Sequence, residues 1–110
     1  MTETNVLGFR IVLSTCCDRA QAERIARSLV ESRLAACINL LPGVSSIYRW
    51  QDKVESSEEV LLVIKTDVAH VESVQRVIAS LHSYQVPEFL VLDVSGGSEH
   101  YLDWLAASLK

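Results

Sequence analysis

The sequence contains no run of five or more basic residues, and its net charge is −4. A surface that neutralises phosphate groups is therefore not expected, which excludes nucleic acid as a partner. No apolar stretch approaches the roughly 18 residues that span a bilayer. The first ten residues, MTETNVLGFR, also lack the basic segment and long apolar run of a secretory signal. These absences predict a cytoplasmic protein with no membrane partner.

Cysteine is scarce, and the three cysteines present are an odd number without a C-x-x-C motif. A disulfide framework and a thioredoxin-type redox pair are therefore not expected. The sequence also lacks G-x-S-x-G, a Walker A loop and G-x-G-x-x-G. These missing motifs predict that the protein is not an enzyme.

Apolar residues recur with the spacing of a strand in some segments of the chain and with the spacing of a helix in others. Helices are predicted after the capping residues Asp18, Asp67 and Ser98. Four strands are predicted. They are residues 9–15, residues 35–41 with a continuation through 44–50, residues 53–66, and residues 89–94. The predicted buried faces are Ala22, Ile25, Ala26, Leu29 and Val30 in the first helix, Val71, Val74, Val77, Ile78 and Leu81 in the second, and Leu102, Leu105, Ala106 and Leu109 in the third.

The predicted element order is β-α-β-β-α-β-α without a linker or repeat. Its first six elements are those of a ferredoxin-like βαββαβ sandwich, and the last is an extra C-terminal helix. We therefore expect an α+β fold in one domain over residues 1–110, with residues 1–8 as a disordered tail. An antiparallel sheet with its helices on one face follows from this order.

The hairpin formed by residues 44–65 is too long for a compact monomer. Its strands, with their continuation to Ala36, are about 15 residues each, or roughly 50 Å at about 3.3 Å per residue. A domain of this size has a diameter nearer 30–35 Å, from a radius of gyration of about 13 Å. The hairpin must either bend at Pro42-Gly43 or project, and it carries exposed aromatic residues on an edge that needs covering. We favour oligomerisation through this arm.

The adjacent Cys16 and Cys17 could be a metal clip, a redox pair or packing. They cannot easily bond to each other, because their Cα atoms lie about 3.8 Å apart across a trans peptide. The histidines at 70, 82 and 100 share no ligand spacing, so a zinc site within one chain is not supported. In HSYQVPEFLVLDV, Tyr84 and Glu88 flank a rigid Val-Pro step and are either a structural corner or part of a cleft.

Four motifs together resemble the CutA1 family, the divalent-cation tolerance proteins. They are LAACINLLPGVSSIYRW (34–50), EEVLLVIKT (58–66), HSYQVPE (82–88) and YLDWLAASL (101–109). The resemblance implies a homotrimer of ferredoxin-like subunits, similar to the PII signalling proteins, in which long hairpins join neighbouring sheets. It also implies clefts between subunits, where the matching residues are Trp50, Lys65, Tyr84, Glu88, Tyr101 and Trp104.

The resemblance implies a role in copper or other divalent metal tolerance, with weak metal binding and no required cofactor. Members tied to copper have a cysteine where this chain has Ser14 and a second histidine where it has Leu81, so only His82 of that set is kept. Thiolates suit copper(I), so Cys16, Cys17 and His82 are the candidate ligands for copper, although packing is favoured for the cysteines. The ion that the resemblance implies is Cu²⁺ or another divalent cation. The alternative function is a PII-like sensor that binds a small molecule in the clefts, with Lys65 as the anion contact.

Overall fold

The computed structural model describes residues 8–110. The strands are β1 (Phe9–Cys16), β2 (Cys37–Trp50), β3 (Lys53–Asp67) and β4 (Leu90–Asp93), and the helices are α1 (Arg19–Glu31), α2 (Val71–Leu81) and α3 (Glu99–Ser108). This is the predicted element order. The predicted disordered tail lies outside the described residues except for Gly8, whose carbonyl oxygen accepts a hydrogen bond from the Val68 N–H at 2.7 Å.

The four strands form one antiparallel sheet in the order β2-β3-β1-β4. The two central strands, β1 and β3, pair from Phe9 opposite Asp67 to Cys16 opposite Val60. The edge strand β4 is shorter than the predicted range 89–94 and pairs only with residues 10–13 of β1. This order and the βαββαβ connection confirm the ferredoxin-like α+β fold.

The main core lies between the sheet and helices α1 and α2, as the helical spacing predicts. It contains Val12, Cys16, Val60, Leu62 and Ile64 from the sheet, Ala22, Ile25, Ala26 and Leu29 from α1, and Val74 and Ile78 from α2. Val77 and Leu81 pack against this core while partly buried. The predicted burial of Val30 is wrong: it is 40% exposed, because it lies at the edge of the apolar stripe in the last turn of α1.

Two of the three predicted helix caps are confirmed. Asp18 Oδ1 accepts a hydrogen bond from the Gln21 N–H at 2.8 Å, and Ser98 Oγ accepts one from the Tyr101 N–H at 3.3 Å. The predicted cap of α2 is wrong, because Asp67 ends β3 and a turn separates it from the N-cap residue His70. Asp67 instead binds that turn, where its Oδ1 accepts a hydrogen bond from the His70 N–H at 3.1 Å.

Helix α3 packs on the side of the sheet opposite to α1 and α2. Its Leu102, Leu105 and Leu109 cluster with Phe9, and Phe9 faces away from the core residue Val12 because strand side chains alternate between faces. The expectation that helices cover one face of the sheet is confirmed for α1 and α2 of the ferredoxin-like unit, whereas the extra helix α3 covers the other face. We call the part of this side beyond α3 the open face; its apolar residues include Leu41, Leu90 and Leu92, which are 42%, 56% and 47% exposed.

The hairpin of β2 and β3 projects from the domain as an arm, here defined as residues 44–59. The described residues extend 54 Å along one axis and 25 and 23 Å along the others, which confirms that the hairpin is longer than the body. A bulge between Leu41 and Val44, with Gly43 at φ 74°, shifts the register at the base of the arm. The predicted Pro42-Gly43 irregularity is thus confirmed, although it does not fold the arm back.

The turn at the tip of the arm has two residues other than glycine in a strained backbone conformation. Gln51 and Asp52 both have positive φ, at 50° and 66°, a conformation in which a Cβ atom costs about 1 kcal/mol or more and for which glycine is favoured.

We expect Asp52→Gly to stabilise the protein by about 0.5 kcal/mol, because relief of the left-handed strain exceeds the entropy that glycine adds to the unfolded chain. Glu55→Gly is the matched control in the same hairpin, and it should destabilise because Glu55 lies in a regular strand. Urea unfolding of both variants measures the change. Destabilisation by Asp52→Gly would contradict the expectation.

Candidate functional site

Strand β3 places polar residues of the predicted site at two separate positions along its length. One cluster surrounds Lys65, which pairs with Cys37 on β2 and Ile11 on β1. The other surrounds Glu59, which pairs with Val44 at the base of the arm. Six residues separate the two, or roughly 20 Å of strand, so the six predicted cleft residues do not meet within one chain.

The first cluster consists of Lys65, Cys37, Tyr101 and Trp104. Lys65 Nζ donates to Tyr101 Oη at 3.2 Å and lies 3.9 Å from Cys37 Sγ. The ammonium is also 5.5 Å from the centre of the Tyr101 ring, and the Tyr101 and Trp104 rings lie 5.5 Å apart. The Tyr101 hydrogen bond, opposed by burial and reinforced by Cys37, raises the pKa of Lys65. The ammonium therefore lies against the Tyr101 ring, which in turn lies beside Trp104.

The second cluster consists of Tyr84, Glu88 and Glu59. Tyr84 Oη donates to Glu59 Oε2 at 2.7 Å, and Glu59 is only 8% exposed. Burial, followed by the hydrogen bond to Glu59, raises the pKa of Tyr84, so its phenol stays protonated as a donor. This cluster is acidic and lies at the base of the arm, and its charge is opposite to that of the first cluster.

The segment that carries Tyr84 and Glu88 is held by two neighbouring groups. The Glu88 carbonyl oxygen accepts a hydrogen bond from Ser14 Oγ at 2.8 Å. His82 Nε2 lies 2.6 Å from the Thr15 carbonyl oxygen, and His82 Nδ1 accepts from the Tyr84 N–H at 3.1 Å. These contacts attach the segment, and with it the acidic cluster, to the end of β1.

The predicted metal ligands Cys16, Cys17 and His82 are close in sequence or space but do not form a metal site. Both ring nitrogens of His82 are already hydrogen-bonded. Cys16 is fully buried, and burial raises the pKa of its thiol to about 11, whereas Cys17 is exposed. Within residues 8–110, no three His, Cys, Asp or Glu side chains lie together so as to hold a metal ion.

The remaining predicted residue, Trp50, lies at the tip of the arm opposite Lys53 and is 38% exposed. It contributes to neither cluster. Sequence reasoning also missed Glu59 and Cys37 as members of the two clusters. The only available signal was their position in the motifs EEVLLVIKT and LAACINLLPGVSSIYRW. Strand pairing brings Cys37 to Lys65, and a tertiary contact with the segment after α2 brings Tyr84 to Glu59.

Residues 10–108 match the family model described as CutA1 divalent ion tolerance protein. The divalent-cation tolerance protein CutA of Pectobacterium atrosepticum is 48% identical over 100 residues, which cover 91% of each chain.

Solved structures give the same result. CutA from Xylella fastidiosa has a TM-score of 0.91 at 42% identity, covering 94% of this chain and 99% of that one. The divalent cation tolerance protein from Thermus thermophilus has a TM-score of 0.86 at 43% identity, covering 88% and 94% of the two chains.

We expect Tyr84→Phe to destabilise the protein by about 1–3 kcal/mol, because it leaves the buried Glu59 carboxylate without its donor. Tyr48→Phe is the matched control: Tyr48 is 40% exposed, and its hydroxyl accepts only a 3.4 Å hydrogen bond from Ser57. Denaturant unfolding of both variants should show the larger loss for Tyr84→Phe. Equal losses would contradict the role assigned to this hydrogen bond.

We expect Glu88→Gln to stabilise the isolated subunit at neutral pH, at concentrations too low for subunits to associate. Burial, and then the charge of Glu59, raises the pKa of Glu88 above its ordinary value of 4.5. A carboxyl whose pKa is raised by folding lowers stability when it is ionised, and this penalty disappears as the pH falls below the unfolded value. Thermal unfolding from pH 3 to 8 should give the variant a higher Tm at neutral pH, and the difference in Tm should vanish near pH 4. A lower Tm of the variant at pH 7 would contradict the prediction.

Proposed function

Because the chain belongs to the CutA1 family of divalent ion tolerance proteins, we propose that it acts in divalent metal tolerance as a cytoplasmic homotrimer without enzymatic activity. The family match over residues 10–108 supports the tolerance role. The observation that carries the trimer is the apolar surface that one chain leaves uncovered on its open face and arm.

That uncovered surface includes residues of the edge strand and of the arm. Leu90, Val91 and Leu92 are 56%, 41% and 47% exposed along the edge strand β4. On the arm, Ile47 and Val54 are 77% and 67% exposed. Contiguous apolar surface and an unpaired strand edge both favour association. A neighbouring subunit that lays its arm along this edge would cover both at once.

A closed ring also accounts for the two separated clusters of the site. Lys65 carries a positive charge at one end of the sheet, and Glu59 and Glu88 carry negative charges about 20 Å away. Contacts between subunits in a ring are heterologous, so that different surfaces of the same chain meet. Such a contact supports clefts in which Lys65, Tyr101 and Trp104 of one subunit approach Tyr84, Glu88 and Trp50 of another.

The proposal includes weak binding of copper, as Cu²⁺ or Cu⁺, or of another divalent cation, with no cofactor required for folding. Of the predicted ligands, Cys17 is the available donor, since Cys16 is buried and both His82 nitrogens are engaged. Cys17 Sγ lies 3.6 Å from Asp18 Oδ2, so a thiol and a carboxylate are adjacent. Two protein ligands in an exposed position fit weak binding of a soft ion.

We expect native mass spectrometry to give a mass three times the 12.2 kDa of the chain. Leu41→Glu should reduce the trimer at micromolar concentration, because it places a charge on the open face. Val30→Glu is the matched control, since Val30 is 40% exposed, similar to Leu41 at 42%, but lies on α1 away from that face. A stable monomer in the unmodified protein would overturn the trimer.

We expect calorimetry with copper(I) under reductant to show weak saturable binding that Cys17→Ser abolishes. Cys37→Ser is the matched control, because Cys37 is a second free cysteine and lies on β2 opposite Lys65. Copper binding that survives Cys17→Ser would show that the metal binds at another position. The absence of saturable heat would contradict metal binding as part of the proposed function.

A further inference from the structure

The three cysteines of the chain lie in different electrostatic surroundings. Cys16 is buried, and burial raises the pKa of its thiol to about 11. Cys17 is exposed, and its Sγ contacts an acidic group, Oδ2 of Asp18, at 3.6 Å. Cys37 is half-buried, and its Sγ contacts a cation, Nζ of Lys65, at 3.9 Å. Reactive cysteines are typically partly exposed and lie beside a positive charge, so Cys37 has the surroundings of a reactive cysteine.

The pairing of β2 with β3 holds Cys37 and Lys65 side by side. The two residues are directly opposite each other in the register, and such residues have Cβ atoms about 4.5–5.5 Å apart on one face. The Ala36 N–H donates to the Lys65 carbonyl oxygen at 2.9 Å and holds the main chain beside this pair. The lysine stem is flexible, so rotations about its bonds can bring Nζ from 3.9 Å to bonding distance of Cys37 Sγ.

Tyr101 positions the lysine head group beside the thiol. Lys65 Nζ donates to Tyr101 Oη at 3.2 Å, and this hydrogen bond is exposed. A small oxidant can therefore approach the lysine and the neighbouring thiol from the solvent. All three side chains belong to one chain, so their arrangement does not depend on the proposed trimer.

We propose that Cys37 and Lys65 are an oxidation-sensitive pair that forms a covalent sulfur–nitrogen cross-link, a sulfenamide, when the protein meets a peroxide. Sulfenic acids condense with a backbone nitrogen to give a sulfenamide, and a lysine amine is the more nucleophilic nitrogen. The cross-link joins β2 to β3 and removes the positive charge of Lys65, and a thiol reductant restores both side chains. This modification site goes beyond the proposed function in metal tolerance.

The reaction has two steps, with hydrogen peroxide as the oxidant. In the first step the Cys37 sulfur attacks one peroxide oxygen: the S–O bond forms, the O–O bond breaks, and hydroxide takes the thiol proton and leaves as water. In the second step Lys65 gives a proton to the solvent and its free amine attacks the sulfur. The S–N bond forms, the S–O bond breaks, and the hydroxyl takes a further amine proton and leaves as water. Sulfur is oxidised, and both peroxide oxygens are reduced to water.

The test is treatment of the native protein with hydrogen peroxide in mildly alkaline buffer, followed by proteolysis and peptide mass spectrometry. The Tyr101 hydrogen bond raises the pKa of Lys65, and alkaline buffer increases the fraction of free amine. We expect a peptide that joins Cys37 to Lys65, lighter by two hydrogens than its two parts together. A thiol reductant should remove it. Oxidation of Cys37 without this peptide, or no reaction at Cys37, would overturn the inference.

Lys65→Arg separates the cross-link from the reactivity of the thiol, because arginine keeps the positive charge and is not deprotonated in proteins. The variant should lose the cross-link, and dimedone, which traps sulfenic acids, should then label Cys37 more than Cys17. Lys53→Arg, at the exposed tip of the arm, is the matched control and should keep the cross-link.

Cys37→Ser provides a second variant if Lys65→Arg impairs folding, and it should also abolish the cross-link. A cross-link of the same mass that survives in either variant would overturn the inference, because another pair of residues would then form it. Preferential dimedone labelling of Cys17 in Lys65→Arg would also overturn it, since the cation beside Cys37 would then not direct the oxidation.

Discussion

The pairing of β2 with β3 is the interaction on which the rest of the structure depends. It runs from Cys37 opposite Lys65 to Trp50 opposite Lys53 with one register shift, so a single hairpin forms part of the body and the whole arm. Its inner half supplies Leu62 and Ile64 to the core. Within residues 8–110 no helix covers its outer half, and the exposed apolar residues there favour association with another chain.

The same strand separates the charges of the site. Lys65 lies near α3, whereas Glu59 lies at the base of the arm under Tyr84. A positive and a negative cluster on one rigid strand cannot neutralise each other, because a β-strand does not shorten. In the proposed ring of chains, unlike clusters of neighbouring subunits would meet and the exposed edge strand would be covered, so the proposed assembly and the candidate site depend on the same strand.

The location of the histidine explains why a metal site does not follow from the ligand types alone. His82 has the right chemistry for copper, but it is used to hold the segment that carries Tyr84 and Glu88 against Thr15. Cys16 likewise serves the core. The neighbouring residue Cys17 is left as the exposed thiol, and only the tertiary contacts distinguish these two adjacent cysteines.

The element order, the fold class and most buried faces could be predicted from the sequence, because apolar periodicity and capping residues such as Asp18 act over a few neighbouring positions. The length of the arm could also be predicted, since strand rise is constant. The side of the sheet that α3 covers, the role of Asp67 and the Tyr84–Glu59 hydrogen bond could not, because they depend on contacts between distant residues. The division of the polar residues into two clusters of opposite charge was likewise decided only by the tertiary structure, since strand register determines which side chains become neighbours.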